Sequence, residues 1–400
     1  MLEVDAASFL VIVAVASLAG LTAALLEKRL AVPVVVIELL LGIVVGPDVL
    51  GIALPDSFTD FFANLGLGML FFFAGYEIDF RRIAGRPLRL AVLGWLLSLA
   101  LAYTVGGLLA LAGVVLSLLY TGSALATTAI GTLIPVLRDA GELPTRFGTF
   151  LLAAGAIGEF GPILLVTLVL AGAQPAHEAA ILVAFVAIAV VVAVIAVRST
   201  FLGWPLMERT LEASSQVAVR LSVLLIFGLV ALAYELGLDL LLGGFVAGLI
   251  TRMALRGREL QLFESKLTAI GYGFFIPFFF IVSGLKFDLD ALLSTTKTLY
   301  ELPLFLGLFL LVRGAPALLL YRGVLRARRD RLALAFYSAT ELPLVVAITT
   351  IAVDGGHMRG STAASLVGAA VLSTFAFPLV ALLLRNGRTG AGPEPRLQPA

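Results

Sequence analysis

Leu151 to Leu170 reads LLAAGAIGEFGPILLVTLVL, a run long enough to cross a bilayer that carries one carboxylate, Glu159, near its middle. An acidic side chain at a helix centre costs about 2.5 to 3.5 kcal/mol on insertion scales, and such residues face the protein interior, where they serve ion and proton pathways. Glu159 is therefore a functional candidate from its position alone. Gly158 and Gly161 leave room around it, and Pro162 removes a backbone donor and frees a carbonyl one turn earlier. Together these make a polar pocket inside an apolar helix. The plainer reading is a protonated glutamate that ties helices together by hydrogen bonds.

The chain around this stretch has 400 residues, 60% hydrophobic and 13% charged, against about 25% charged in soluble domains. That composition belongs to an integral membrane protein. A span takes about 20 apolar residues, so the chain holds a dozen or so helices and no large soluble domain. Function has to sit within the bilayer. The absence of cysteine excludes disulfides and thiolate metal sites. His177 and His357 fall in predicted short loops and read as solvated. A net charge of +1 gives no nucleic-acid footprint. With no His/Asp/Glu cluster at metal-ligand spacing and no nucleophile beside a base, neither an enzyme nor a cofactor is expected. The first segment opens with Glu3 and Asp5, lacks a basic leader and a cleavage site, and reads as a retained helix.

Breaks in hydropathy place thirteen helices near 8–26, 31–46, 60–79, 88–111, 114–138, 146–172, 178–198, 217–236, 239–254, 264–284, 302–325, 330–352 and 361–385. An odd count puts the termini on opposite sides. Of the 27 basic residues, 23 then fall in loops or helix ends on one side, from Lys28 and Arg29 through to Arg385, Arg388 and Arg396. Lys286, Lys297 and Arg359 lie on the other side, and Arg313 lies inside the eleventh segment. By the positive-inside rule the amino terminus is outside and the carboxyl terminus cytoplasmic, as in a multi-pass protein of the inner (plasma) membrane.

Two short patterns recur seven segments apart. The third segment ends in Gly75-Tyr76-Glu77-Ile78-Asp79 and the tenth in Gly284-Leu285-Lys286-Phe287-Asp288; the second carries Gly42-x-x-x-Gly46 and the ninth Gly244-x-x-x-Gly248. Because seven is odd, matched helices run in opposite directions. This is the mark of an inverted repeat, segments one to six against eight to thirteen, common in secondary transporters whose sites use broken helices at the midplane. The fifth segment should then match the twelfth. Thr121 to Thr132, which includes Ser123, Thr127 and Thr128, and Tyr337 to Pro343, which includes Glu341, are both rich in hydroxyls and breakers at mid-span. Interrupted backbone there is tolerated only when buried in protein or lining a wet cavity. Hydroxyls, freed carbonyls and one carboxylate form an oxygen set suited to a hard monovalent cation, although each Ser or Thr taken singly also fits a helix-to-helix hydrogen bond. Arg313 needs an anion or several carbonyls nearby. Glu159 is the obvious partner, with Glu38 in the second segment and Glu341 as competitors. Glu77, Glu235 and Asp239 sit near helix ends and read as interfacial.

The combination resembles the monovalent cation:proton antiporter family, in the branch of bacterial sodium/proton exchangers and potassium-efflux antiporters. Val32 to Pro47 is similar to the family's second-helix signature and Leu65 to Asp79 to its third; Gly243 to Leu249 and Phe278 to Leu285 agree with its second half. The resemblance implies an all-α transmembrane domain over 1–386 with two crossing broken helices, the fifth and twelfth. It implies a dimerisation part (about 1–80 and 213–290), a core ion-translocation part (about 88–172 and 302–385), a linker helix (178–198) and a homodimer. The tail, 387–400, reads as disordered. Glu159 falls where the family places its ion-binding Asp, Thr128 on the Thr of the fifth-helix motif, and Arg313 on the basic position of the eleventh. The chain departs from the pattern at Gly158-Glu159, where Asp-Asp, Asn-Asp or Gln-Asp is common, which bears on ligand count and ion preference. The implied function is exchange of Na+ or K+ for H+ by alternating access. Glu159, Thr127 and Thr128 would bind cation or proton, Arg313 would compensate charge, and Ser123, Glu341 and Glu38 are secondary candidates. The competing readings are a sodium-coupled symporter of an organic anion, with Arg313 on the substrate carboxylate, and a channel or sensor that binds ions without coupling them.

Overall fold

A computed structural model describes residues 5–26, 33–78, 80–165, 180–196, 198, 215–238, 240–254, 260–293 and 296–386. Asp79, His177, Asp239 and the tail 387–400 lie outside the described residues. Nine of the described helices are long and apolar enough to cross a membrane. Four shorter apolar stretches, Val34–Val45, Leu118–Ile134, Ala180–Ala196 and Leu241–Ala254, bring the described total to thirteen. Each falls on one of the thirteen segments read from hydropathy.

In chain order the first half comprises α1 (Ala6–Leu26), α2 (Val34–Val45), α3 (Ser57–Tyr76), α4 (Arg86–Leu111), α5 (Leu118–Leu125), α6 (Ile130–Asp139) and α7 (Arg146–Leu165). After α8 (Ala180–Ala196) come α9 (Val217–Glu235), α10 (Leu240–Ala254), α11 (Leu260–Ile270) and α12 (Ile276–Leu285). The chain closes with α13 (Thr296–Leu320), α14 (Arg328–Ser338), α15 (Pro343–Asp354) and α16 (Gly360–Asn386). The fifth and twelfth segments are the interrupted ones: α5 and α6 are separated at Ala126–Ala129, and α14 and α15 at Ala339–Leu342.

The chain separates into two compact units. The first contains Met1–Ala19, Glu38–Asp79 and Thr167–Lys286. Its helices approach closely because glycines line the contacts. A methyl group at Gly75 would run into the Phe245 carbonyl, one at Gly248 into the Phe72 carbonyl, and one at Gly284 into the Leu39 carbonyl. Gly42 is held in the same way against the Ile281 carbonyl. The Gly-x-x-x-Gly stretches are thus packing faces, as expected where small residues let membrane helices touch. At the start of α3, Asp56 accepts from the Thr59 N–H at 2.7 Å while its own N–H donates to Thr59 Oγ1 at 2.9 Å, a reciprocal cap that fixes where the helix begins.

The second unit contains Gly20–Ile37, Phe80–Val166 and Phe287–Ala400. Its core joins Leu133, Phe147, Leu151, Tyr321, Leu334 and Tyr337 from α6, α7, α14 and the end of α13. Arg385, counted from sequence among the basic residues of one side, is buried near the end of α16. It donates to both Glu142 carboxylate oxygens at 2.7 and 2.8 Å and to Asp330 Oδ1 at 2.8 Å, and its guanidinium lies 4.3 Å over the Phe147 ring.

Two outcomes follow from this packing. Gly248→Val forces α3 and α10 apart, and the thermal midpoint in detergent should fall by an amount equivalent to about 1 to 3 kcal/mol. Arg385→Ala strands Glu142 and Asp330 without their countercharge, costing about 3 to 5 kcal/mol. Thermal unfolding of Arg385→Ala beside Arg385→Lys, which keeps the charge, measures it; equal melts for the two variants contradict the assignment.

Candidate functional site

The site begins with a missing hydrogen bond. Pro162 has no N–H, so within α7 the carbonyl of Gly158, four residues earlier, has no helical donor. Thr128, in the gap between α5 and α6, supplies one: its N–H donates to the Gly158 carbonyl at 3.0 Å. The next amide, of Ala129, donates to the Thr340 carbonyl at 2.8 Å and ties the two interruptions to each other. Trp95 on α4 closes a third orphan, its Nε1 donating to the Ala126 carbonyl at 3.1 Å. In the other gap the Glu341 N–H donates to Ser373 Oγ at 3.0 Å, and its carbonyl accepts from Ser373 and Thr374 at 3.1 and 3.0 Å. Backbone exposed by the breaks is thus satisfied inside the protein, as it must be at membrane depth.

Arg313, on α13, stands where α5 and α14 end. Helix C-termini carry unsatisfied carbonyls and partial negative charge, which a cation neutralises. Its Nε and Nη2 donate to Thr128 Oγ1 at 2.9 and 2.7 Å, Nε also to the Ser338 carbonyl at 3.3 Å, Nη1 to Ser98 Oγ at 3.1 Å, and Nη2 to the Ala154 carbonyl at 3.4 Å. Thr128 Oγ1 in turn donates to the Ser338 carbonyl at 2.5 Å. The direct ion pair expected between Arg313 and Glu159 is not formed. The guanidinium is taken up by hydroxyls and carbonyls, while Thr127, next to its partner Thr128, bonds Glu341.

Glu159 is 2% exposed and Glu341 fully buried. Their surroundings differ. Glu341 Oε2 accepts from Thr127 Oγ1 at 3.1 Å, and its Oε1 is buried without a partner. Glu159 is buried as well, and its Oε2 has no partner. The second unit therefore holds, in and beside the two gaps, Glu159, Thr127, Thr128, Arg313 and Glu341. Ser123 is buried and hydrogen-bonds with the Tyr103 hydroxyl at 3.3 Å. Glu38 belongs to the first unit, where it is 3% exposed with Oε2 unpartnered.

Ser98 and Trp95 were not picked out from sequence. The signal was present in the small residues of α4 at three- and four-residue spacing, Ala91, Gly94, Ser98, Ala102 and Gly106, all of which are buried. Gly158 was singled out for the room it leaves, whereas the structure shows that room filled. A Cβ there would collide with Arg313 Nη2 and lie 2.7 Å from Thr128 Oγ1.

Residues 13–382 match the transmembrane family of sodium/hydrogen exchangers. The chain belongs to that family. Among its relatives is the putative Na(+)/H(+) antiporter YjbQ of Bacillus subtilis, 26% identical over 395 residues, which cover 92% of this chain and 62% of that protein. This exchanger-family chain therefore spans less than two thirds of that relative's length. The Na(+)/H(+)-K(+) antiporter GerN of Bacillus cereus is 28% identical over 281 residues, 67% of this chain and 68% of GerN. The sodium proton antiporter MjNhaP1 from Methanocaldococcus jannaschii shares the fold, with a TM-score of 0.62 at 18% identity over 96% of this chain and 97% of that one.

Trp95→Phe removes the donor to the Ala126 carbonyl while keeping most of the ring. The expected loss of thermal stability is about 1 to 3 kcal/mol, that of a buried acceptor left unpaired. An unchanged melt would mean that the carbonyl finds another donor.

Proposed function

We propose that this protein exchanges a monovalent cation, Na+ or K+, for H+ across its membrane, and that Glu159 holds either the proton or the cation. The observation that carries this reading is a buried carboxylate with one oxygen unpartnered, next to two interrupted helices. An ionised carboxylate in that position calls for a cation or a proton. Thr127 Oγ1 and the carbonyls around the gaps are the further oxygens available to a hard cation. Arg313 and Thr128 set the electrostatic background: the guanidinium occupies the Thr128 hydroxyl, so Thr128 acts by positioning Arg313 and joins a cation's ligands only if that bond loosens. Family membership and relatives named as Na(+)/H(+) and Na(+)/H(+)-K(+) antiporters support the same chemistry. The bonds of Arg313 speak against an organic-anion symporter, because the guanidinium that would bind a substrate carboxylate is already engaged by four protein groups.

On this reading the second unit is the ion-translocating core and the first the dimerisation part of a homodimer. The protein sits in the plasma membrane with its amino terminus outside and its carboxyl terminus in the cytoplasm. One titrating carboxylate per transport cycle makes exchange one for one and electroneutral.

Dye-reported proton movement in everted vesicles, after additions of Na+, K+ and Li+, tests the central claim. Wild type should dissipate the pH gradient with at least one ion, and Glu159→Gln with none. Full exchange by Glu159→Gln removes the assignment. In proteoliposomes the rate should be insensitive to an imposed membrane potential; a strong dependence rules out one-for-one exchange.

A further inference from the structure

Glu38 is a buried acid that the transport reading leaves without a task. It lies in α2, whose sequence VVVIELLLGIVV holds no other polar side chain. The residue is 3% exposed, and its Oε2 lacks a hydrogen-bond partner. Glu38 stands one turn before Gly42, on the same side of the helix. At Gly42 the backbone of α2 touches that of α12: a Cβ there would collide with the Ile281 carbonyl, and one at Gly284 with the Leu39 carbonyl. A turn further on, Val45 belongs to a core with Ile12 and Val15 of α1, Ala63 of α3, and Phe278 and Leu285 of α12. The acid therefore sits beside a backbone-to-backbone contact of the first unit, among apolar helices.

What such a carboxylate can hold follows from its neighbours. A hard monovalent cation needs several oxygens besides the acid. On α12 the one hydroxyl, that of Ser283, is committed to the Phe279 carbonyl at 2.6 Å, and on α1 that of Ser17 donates to the Val13 carbonyl at 3.0 Å. Counter-charge is missing from the same elements. Neither α1 nor α12 contains a titratable residue. On α3, Asp60 is paired at 2.7 Å with Lys286, just past the end of α12, and Tyr76, at the opposite end, lies under the Arg252 guanidinium at 5.5 Å. A bare carboxylate among such helices has neither a ligand set nor an opposite charge to offset its burial. One proton removes that cost and needs no further ligand. We propose that Glu38 is a proton-binding residue separate from the exchange site, one that takes a proton and not a cation, and that its proton keeps α2 packed on α12. The inference goes beyond the exchange reading and does not depend on what Glu159 holds.

The test is the thermal stability of the purified full-length protein in detergent as a function of pH, for wild type, Glu38→Gln and Glu38→Leu. Glutamine copies the protonated acid in size and neutrality. The folded state keeps a proton at Glu38 that the unfolded chain gives up to water, so wild-type stability is lost as pH rises, and a neutral variant is spared that loss. The midpoint of Glu38→Gln relative to wild type should therefore rise by about 2 °C or more between about pH 5.5 and about pH 8.5. Glu38→Leu should show the same trend from its own starting offset. All other titrating groups are common to the three proteins and cancel in the difference. Replacing choline by Na+ or K+ at equal ionic strength should leave the gap at the higher pH unchanged, because a cation bound elsewhere stabilises wild type and variant alike. A gap that stays constant with pH refutes the proton, and a gap that Na+ or K+ narrows shows that Glu38 takes a cation; either overturns the proposal. Failure of both neutral variants to fold overturns it too, since the residue would then require its charge. None of these readouts involves transport, so an active Glu159→Gln would remove the exchange-site reading and leave Glu38 to be judged by its own melts.

Discussion

A helix interrupted in the middle of an apolar domain leaves N–H and carbonyl groups with no partner in their own turn, and hydrocarbon offers none. Each orphan costs several kcal/mol at that depth. The second unit meets this constraint from four directions. Pro162 opens a carbonyl on α7 for the Thr128 amide, Trp95 reaches in from α4, Ser373 and Thr374 from α16, and Arg313 from α13. The two gaps also bond each other through Ala129 and Thr340. Remove these partners and the breaks become untenable; with them, the breaks place helix ends and hydroxyls where an ion can use them.

The same constraint bears on the two buried acids. Glu341 lies within a gap, its backbone held on both sides, with Oε2 accepting from Thr127 and Oε1 without a partner. Glu159 lies on α7 beside the other gap, one residue after the carbonyl that Pro162 frees, and likewise keeps one carboxylate oxygen without a partner. Both acids therefore hold an oxygen open to a proton or a cation, and Glu159 ranks first by its central position in an apolar run.

Hydropathy and the one-sided distribution of basic residues were enough for the number and order of the segments, because both are properties of residues taken one helix at a time. The interruptions were legible as well, since hydroxyls and prolines at mid-span have few other readings. Whether an acid pairs directly with Arg313 was not. Glu38, Glu159 and Glu341 all stood within reach in sequence terms, and the choice depends on how several helices are turned about their axes. Arg385 shows the same limit: its place near a helix end is legible, but only folding brings Glu142 and Asp330 around it. Gly158 was visible as a glycine, but that an arginine 155 positions away would fill its space was not a property of its neighbourhood in the chain.

A permanent positive charge beside a single exchanging acid constrains the transport cycle on the proposed reading. With Arg313 charged and Glu341 taken as its ionised counterpart, the charge of the site changes only through what Glu159 holds. A proton and a monovalent cation each neutralise that carboxylate to the same extent, so both loaded states carry equal charge, whereas the empty ionised state carries one negative charge more. Moving that extra charge through an apolar environment is the expensive step, so the loaded states interchange readily and the empty one does not. Obligatory exchange then needs no separate gate to count ions: it follows from the difference in burial cost between a neutralised and a bare carboxylate, provided that the guanidinium nearby stays charged throughout.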